Sequence, residues 1–271
     1  MHFPGEFSPG PRWYSNVRYR DDRRRGHFHE EDVFSPGFFR CHLKPSKLAS
    51  FTAVIGEGAP RASRLVAAAQ KHAWEARFAG RVASPLAERL AEGFADFVVA
   101  DDKHTGILRG LPWHNEWSRN AMMALGGLVT LGEHETARRV LESWVERAEG
   151  PLLPRFVDDR GRSGPADVEA SLWLFEAAEI YLAHTNNFEW AGGRIRQFMD
   201  GVIAAVVEGI EGLCRMGDDG LVYTAGDIRT LSPRESRECA FTEIQALWFN
   251  ALKVAEGLAS VSYTHLRAHE T

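Results

Sequence analysis

The sequence predicts a mainly α chain, a partial α/α toroid preceded by the end of a β-domain. Three observations predict it. Beyond residue 59, apolar residues recur at helical spacing in seven successive segments. The connections alternate between short ones, at 132–133 and 186–189, and long ones, at 101–116, 151–166 and 213–240. Stacked helical hairpins with one elaborated rim give that alternation. Residues 1–58 have a different texture, with short extended runs broken by Pro and Gly.

The β-part comes first. "RWYSNVRY" (12–19) and "FFRCHL" (38–43) read as strands, separated by turns at the two "SPG" triplets (8–10 and 35–37) and at "KPSK" (44–47). "LASFTAVIG" (48–56) reads as one more strand. The one basic run, "RYRDDRRR" (18–25), reads as a solvated strand or loop, its charge diluted by Asp21 and Asp22.

The helices follow. The first spans 60–80 and opens on Pro60. The second, 84–100, has Ser84 as cap, Pro85 in its first turn and Glu88 in capping-box range. "WSRNAMMALGGLVTLG" (117–132) and "HETARRVLESWVERAEG" (134–150) form a hairpin; Val140, Leu141, Trp144 and Val145 keep the apolar stripe of the latter. Segments 167–185, 190–212 and 241–259 complete the set, with no strong strand signal between them. At Ser260 the apolar period lapses. Residues 260–271 resemble translated read-through of a sequencing adapter and are expected to be an artefactual tail outside the fold. The organisation expected is therefore 1–58, 59–259 and 260–271.

Composition bounds the function. The chain has 271 residues, of which 44% are hydrophobic and 25% charged, as in ordinary globular proteins. A formal charge of −5 argues against a dedicated nucleic-acid binder. The longest apolar stretch, "GVIAAVVEGI" (201–210), is too short to cross a bilayer and carries Glu208, so no membrane partner is expected. Three widely spaced cysteines and no signal-peptide pattern point to a reducing, cytoplasmic setting. The eleven histidines show no HExxH spacing, and no metal or other cofactor is expected. "RGHFHEED" (25–32) clusters His27, His29, Glu30, Glu31 and Asp32, but reads better as a contact segment than as a metal site.

The chemistry concentrates in "LPWHNEWSRNAMM" (111–123). Indole faces pack on the C–H faces of sugar rings while flanking polar groups meet hydroxyls. Trp113, Trp117 and Trp173, beside Glu116, Arg119 and Glu169, suit a carbohydrate cleft. Trp113 and Trp117 stand in a polar loop, which favours the ligand-facing role. Trp144, Trp173 and Trp248 stand at helical spacing among apolar neighbours, the usual pattern of core tryptophans. Arg119 either binds hydroxyls or pairs with Glu169 or Asp167. Glu243 either serves the dipole of the last helix or supports the site. His114 reads as a loop hydrogen-bonder.

Six colinear blocks between about residues 12 and 259 resemble one family, the amylo-α-1,6-glucosidase domain of bacterial-type glycogen debranching enzymes. "GLPWHNEWSRNAMMALGGLVTLGEHETARRVL" is similar to that family's GYPWFxxWGRDTxIxLxGLxLxTGxxxxAxxxL. "PLLPRF" resembles GLIPNRF, "DVEASLWLFEAAEIYLAHT" resembles TVDASLWFxxAxxxYxxxT, and "DDGLVYTAG" resembles a DGLL turn. "SPRESRECAFTEIQALWFNAL" resembles TPRxGKxVEINALWYNAL. "WYSNVRYRDDRRRGHFHEEDVFSPGFF" is similar to the end of the family's β-domain.

The resemblance implies an (α/α)6 toroid of the six-hairpin glycosidase type, acting on the α-1,6 branch of an α-glucan or glycogen limit dextrin. Inverting glycosidases place two carboxyl groups roughly 6.5–9.5 Å apart, one as acid and one as base. The family's general acid aligns with Asn120, and its base is expected beyond residue 259, so that 59–259 would be the first half of the toroid. Asparagine keeps the shape of the acid and cannot supply its proton. The family's VDAS aspartate is Glu169, its GR glycine is Ser118 and its EIN asparagine is Gln245. The function expected is that of a debranching glycoside hydrolase homologue, impaired as written. The alternatives are a catalytically silent α-glucan-binding homologue, or another toroid glycosidase of trehalase or glucoamylase type. Trp113, Glu116, Trp117, Arg119, Glu169, Trp173 and Glu243 would contact or surround the glucan. Oligomeric state is left open.

Overall fold

A computed structural model of the chain describes residues 5–26, 28–44, 84–100, 104–111, 114–158, 161–224 and 239–269. The chain divides into two compact units, Met1–Ala79 and Gly80–Thr271. The boundary expected near residue 58, the strand at 48–56 and the helix at 60–80 lie outside the described residues.

In the first unit, strand β1 (Glu6–Arg18) pairs antiparallel with β2 (Glu30–Arg40). Both Ser-Pro-Gly triplets lie inside these strands, with Pro9 opposite Gly37, and not at turns between strands. A two-stranded ribbon is all edge, so a proline that cannot donate is tolerated. The register shifts beyond this pair, between Pro9 and Arg12, and again between Tyr14 and Val17. A β-carbon at Gly37 would run into the Ser8 carbonyl, so the close pairing there requires glycine. The basic run is a short helix, α1 (Arg20–Arg25), and not an extended segment. Gly26 closes it at φ 73°, and the acids in its first turn and arginines in its last suit the helix dipole. The acids of "HEED" stitch the hairpin. Glu30 pairs with Arg18 at 3.0 Å, Tyr19 Oη donates to Glu31 at 2.8 Å, and the Asn16 N–H donates to Asp32 at 2.9 Å.

The second unit opens with helix α2 (Pro85–Ala95), whose cap Ser84 accepts from the Ala87 N–H at 3.2 Å. The helix stops short of its expected end. Val98–Ala100 is a strand, β3, because "FVVA" meets a partner in β4 (Thr105–Gly110). With β5 (His114–Trp117) and β6 (Phe156–Val157) it forms a four-stranded antiparallel sheet in sequence order. Strands therefore do stand between the helices: β4, β6 and most of β5 lie in segments that sequence assigned to long loops, and β3 in the end of an expected helix.

Helices α3 (Ser118–Thr130) and α4 (His134–Glu146) form the first hairpin, turned at Gly132 with φ 74°. Helix α5 (Val168–Thr185) is apolar on nearly every side and packs on α3, α4, α7 and α8, so it is the central element. Asp167 caps it by accepting from the Ala170 N–H at 2.9 Å; Asn186, at φ 52°, ends it. A short helix α6 (Phe188–Trp190) and a π turn (Ala191–Ile195) lead into α7 (Arg196–Glu208). The hairpin of β7 (Cys214–Met216) and β8 (Val222–Thr224) precedes α8 (Thr242–His269), which continues past Ala259. No helix among the described residues is long and apolar enough to cross a membrane.

The core lies between these helices. Leu125, Leu141, Trp144, Leu172, Phe175, Met199 and Ile244 are fully buried, and each such side chain contributes about 2 kcal/mol of transfer free energy. Trp248 is buried with them, as its spacing predicts. The cysteines Cys41, Cys214 and Cys239 are free thiols.

Candidate functional site

The junction of β5 with α3 organises the site. Trp117 ends the strand in an extended conformation, φ −125° and ψ 125°, and Ser118 begins the helix. Ser118 offers both its N–H and its hydroxyl to the Arg155 carbonyl, each at 3.1 Å. The small residue where the related motif has glycine is thus buried and bonded. Segment 151–166 then laces the start of α3 to the start of α5. Ser171 Oγ accepts from the Leu153 N–H at 2.9 Å, the Asp167 N–H donates to the Leu153 carbonyl at 2.8 Å, and Arg155 Nε meets Asp167 Oδ2 at 2.9 Å.

One residue into α3, Arg119 Nε stands 2.6 Å from Glu169 Oε1 on α5. It is a close charge contact and not an aligned hydrogen bond. The Glu169 side chain is only 7% exposed, the Arg119 side chain 38%. Burial raises Glu169 above the ordinary carboxyl range. The Arg119 guanidinium draws it back, Asp167 and Glu243 push it up, and the Trp173 indole N–H pulls it down. Trp173 Nε1 is nevertheless buried without an aligned partner. Arg119, Trp173 and Glu243 therefore all act on Glu169, from the first turns of α3 and α8 and the second turn of α5. Trp173 also packs against the core, as its helical spacing among apolar neighbours predicts.

Asn120 follows Arg119 in the first turn of α3 and is half-buried, and its amide makes no hydrogen bond among the described residues. Gln245 fills a different need. Its side chain accepts from the Val222 N–H at 2.9 Å and donates to the Val222 carbonyl at 2.8 Å, pinning β8 to α8.

Glu116 does not join this group. Its neighbour across the ladder is Leu108, and its carboxylate lies over Gly106, where any β-carbon would collide with it. Glu116 Oε1 meets His104 Nε2 at 2.6 Å, and His104 Nδ1 meets Ser143 Oγ at 2.6 Å. Ser143 Oγ also accepts from Arg147 at 2.5 Å. This relay ties β5 to α4 through the interior. It leaves Glu116 Oε2 buried and unpaired.

Trp117 is half-exposed, but its rings are engaged. The Arg109 guanidinium lies 4.0 Å from the ring centroid, over one face of the indole, and Phe156 is tilted at 5.7 Å. Trp113 lies outside the described residues.

Sequence reasoning missed His104, Ser143, Arg109 and Arg155. Neither "TGILRG" nor "HNEW" alternates apolar and polar residues, so the sequence held no periodic signal for β4 and β5.

Residues 92–268, well over half of the chain, match the family described as amylo-alpha-1,6-glucosidase. Residues 1–49 match the family described as glycogen debranching enzyme N terminal. No curated protein matches the chain.

Proposed function

The chain belongs to the amylo-alpha-1,6-glucosidase family, and from that premise we propose that it is a glycogen-debranching homologue that binds α-glucan where α3, α5 and α8 begin, silent in acid catalysis as written. The observation that carries the reading is the half-buried Asn120 amide, without a hydrogen bond among the described residues, next to Arg119 and its contact with the buried Glu169. A free amide at that turn can donate to or accept from a glycosidic oxygen. It has no proton to release near neutral pH, so the ~10²–10⁴-fold of general-acid assistance is missing.

Three helix N-termini add partial positive charge around the same place. That field favours carboxylates and sugar oxygens and would hold Glu169 available as an acceptor through its contact with Arg119. Within the toroid glycosidases, the family match favours debranching over trehalase-like or glucoamylase-like chemistry.

Calorimetric titration with maltoheptaose tests the reading. The expected result is micromolar-to-millimolar binding, weakened at least fivefold by Asn120→Ala, with glucose release from limit dextrin at the uncatalysed rate. Absence of binding by the folded chain, or binding indifferent to Asn120→Ala, would overturn the cleft assignment. Release of glucose by the unaltered chain would overturn its silence.

A further inference from the structure

A groove of about 500 Å³ lies between α4 and the segment running from Asn187 through the π turn, lined by Arg138, Glu142, Glu146, Glu189, Trp190 and Arg194 among others. None of these residues belongs to the helix N-termini described above. We propose that this groove is a second saccharide-binding site, taking a neutral oligosaccharide of the kind the cleft binds; it rests on the α-glucan reading for the identity of the sugar.

The geometry points to a built surface. The chain leaves regular helix where it lines the groove: Gly193, at φ −87° and ψ −139°, is non-helical and kinks the chain between α6 and α7. Trp190 forms part of the wall, held by an edge-on contact to Tyr181 with centroids 4.7 Å apart. Its indole N–H donates to Glu142 Oε1 at 2.9 Å, and Arg138 meets the same oxygen at 2.6 Å. Trp190 and Glu142 are thus oriented before any ligand arrives. Arg194 stands 3.7 Å from Glu146, a loose pair with donors and acceptors to spare.

Charge selects the ligand class. Glu142, Glu146 and Glu189 oppose a phosphate or carboxylate ligand. Arg138 and Arg194 oppose a cation. A wholly apolar molecule would strip water from five charged groups without returning hydrogen bonds. A neutral polyol answers both halves, its hydroxyls meeting carboxylates and guanidinium, its C–H face meeting the indole. The volume falls within the ~300–1,000 Å³ usual for small-ligand sites.

The indole N–H resonances of the chain, followed during titration with maltoheptaose, test this directly, with Trp190→Phe assigning one of them. The Trp190 signal is expected to shift with millimolar or tighter affinity, and to shift still in Asn120→Ala. Arg194→Ala combined with Glu189→Ala, both on exposed side chains, is expected to weaken that shift at least threefold without lowering the melting temperature. A Trp190 signal that stays still while those of Trp117 and Trp173 move sinks the groove and spares the cleft. Movement of Trp190 alone keeps the groove and sinks the cleft; movement of none sinks both.

Discussion

Arg119 and Glu169 form a 2.6 Å charge contact that joins the first turn of α3 to the first turn of α5. Removing the arginine leaves a carboxylate that is 7% exposed with its main counter-charge gone. Breaking a buried pair from one side costs about 3–5 kcal/mol. Because Arg119 is more than a third exposed, Arg119→Ala is expected to cost about 1–3 kcal/mol, discounted for solvent screening. The double change Arg119→Met with Glu169→Leu should recover most of the loss, since an apolar pair needs no compensation. Urea denaturation of the four proteins in the cycle reads the coupling, and strictly additive losses would show that the two charges do not sustain one another.

Stability should also carry the signature of Glu169 against pH. Burial raises its pKa in the folded chain, so over the interval above the ordinary glutamate value the folded state holds the proton that the unfolded state has lost. Stability is then greatest below that interval and declines as pH rises through it. Glu169→Gln removes this component. Melting temperatures measured across mildly acid pH should fall less steeply in the variant than in the parent; equal slopes would assign the decline to another group.

Gly106 sits beneath the Glu116 carboxylate with no room for a β-carbon. Gly106→Ala is expected to destabilise by about 1–3 kcal/mol, the usual cost of overpacking. Adding Glu116→Ala should return part of that loss by removing the obstructing group. If Gly106→Ala melts with the parent, Glu116 is not held over the glycine.

Trp117 offers a sharper test of the cleft than its exposure alone suggests. Arg109 covers one face of the indole at 4.0 Å, an interaction worth about 0.5–1 kcal/mol at a partly exposed site. Arg109→Ala is expected to leave maltoheptaose affinity unchanged or improved, because it frees a stacking face, whereas Trp117→Ala should weaken it about tenfold. Loss of binding in Arg109→Ala with retention in Trp117→Ala would reverse the two roles.

Much of the second unit was legible from residue order. Ser84 announces a helix start by its own side-chain chemistry, and the stripe of Val140, Leu141 and Trp144 announces a buried face. The short strands were not legible in the same way. "FVVA", "TGILRG" and "HNEW" have little periodicity of their own and become strands only by pairing with one another. In the first unit the Pro-Gly triplets read as turns, yet a two-stranded ribbon absorbs them as register shifts.

By itself the sequence determined the helical periods, the Ser84 cap, the family and the identity of Asn120, because each is local chemistry or an ordered string of residues. Only tertiary structure decided that Glu116 turns inward to His104 while Arg119 reaches across to Glu169. The two residues are three apart, but one lies in a strand and the other in a helix. A change of backbone period between them sends neighbouring side chains to opposite partners, and no one-dimensional pattern carries that direction.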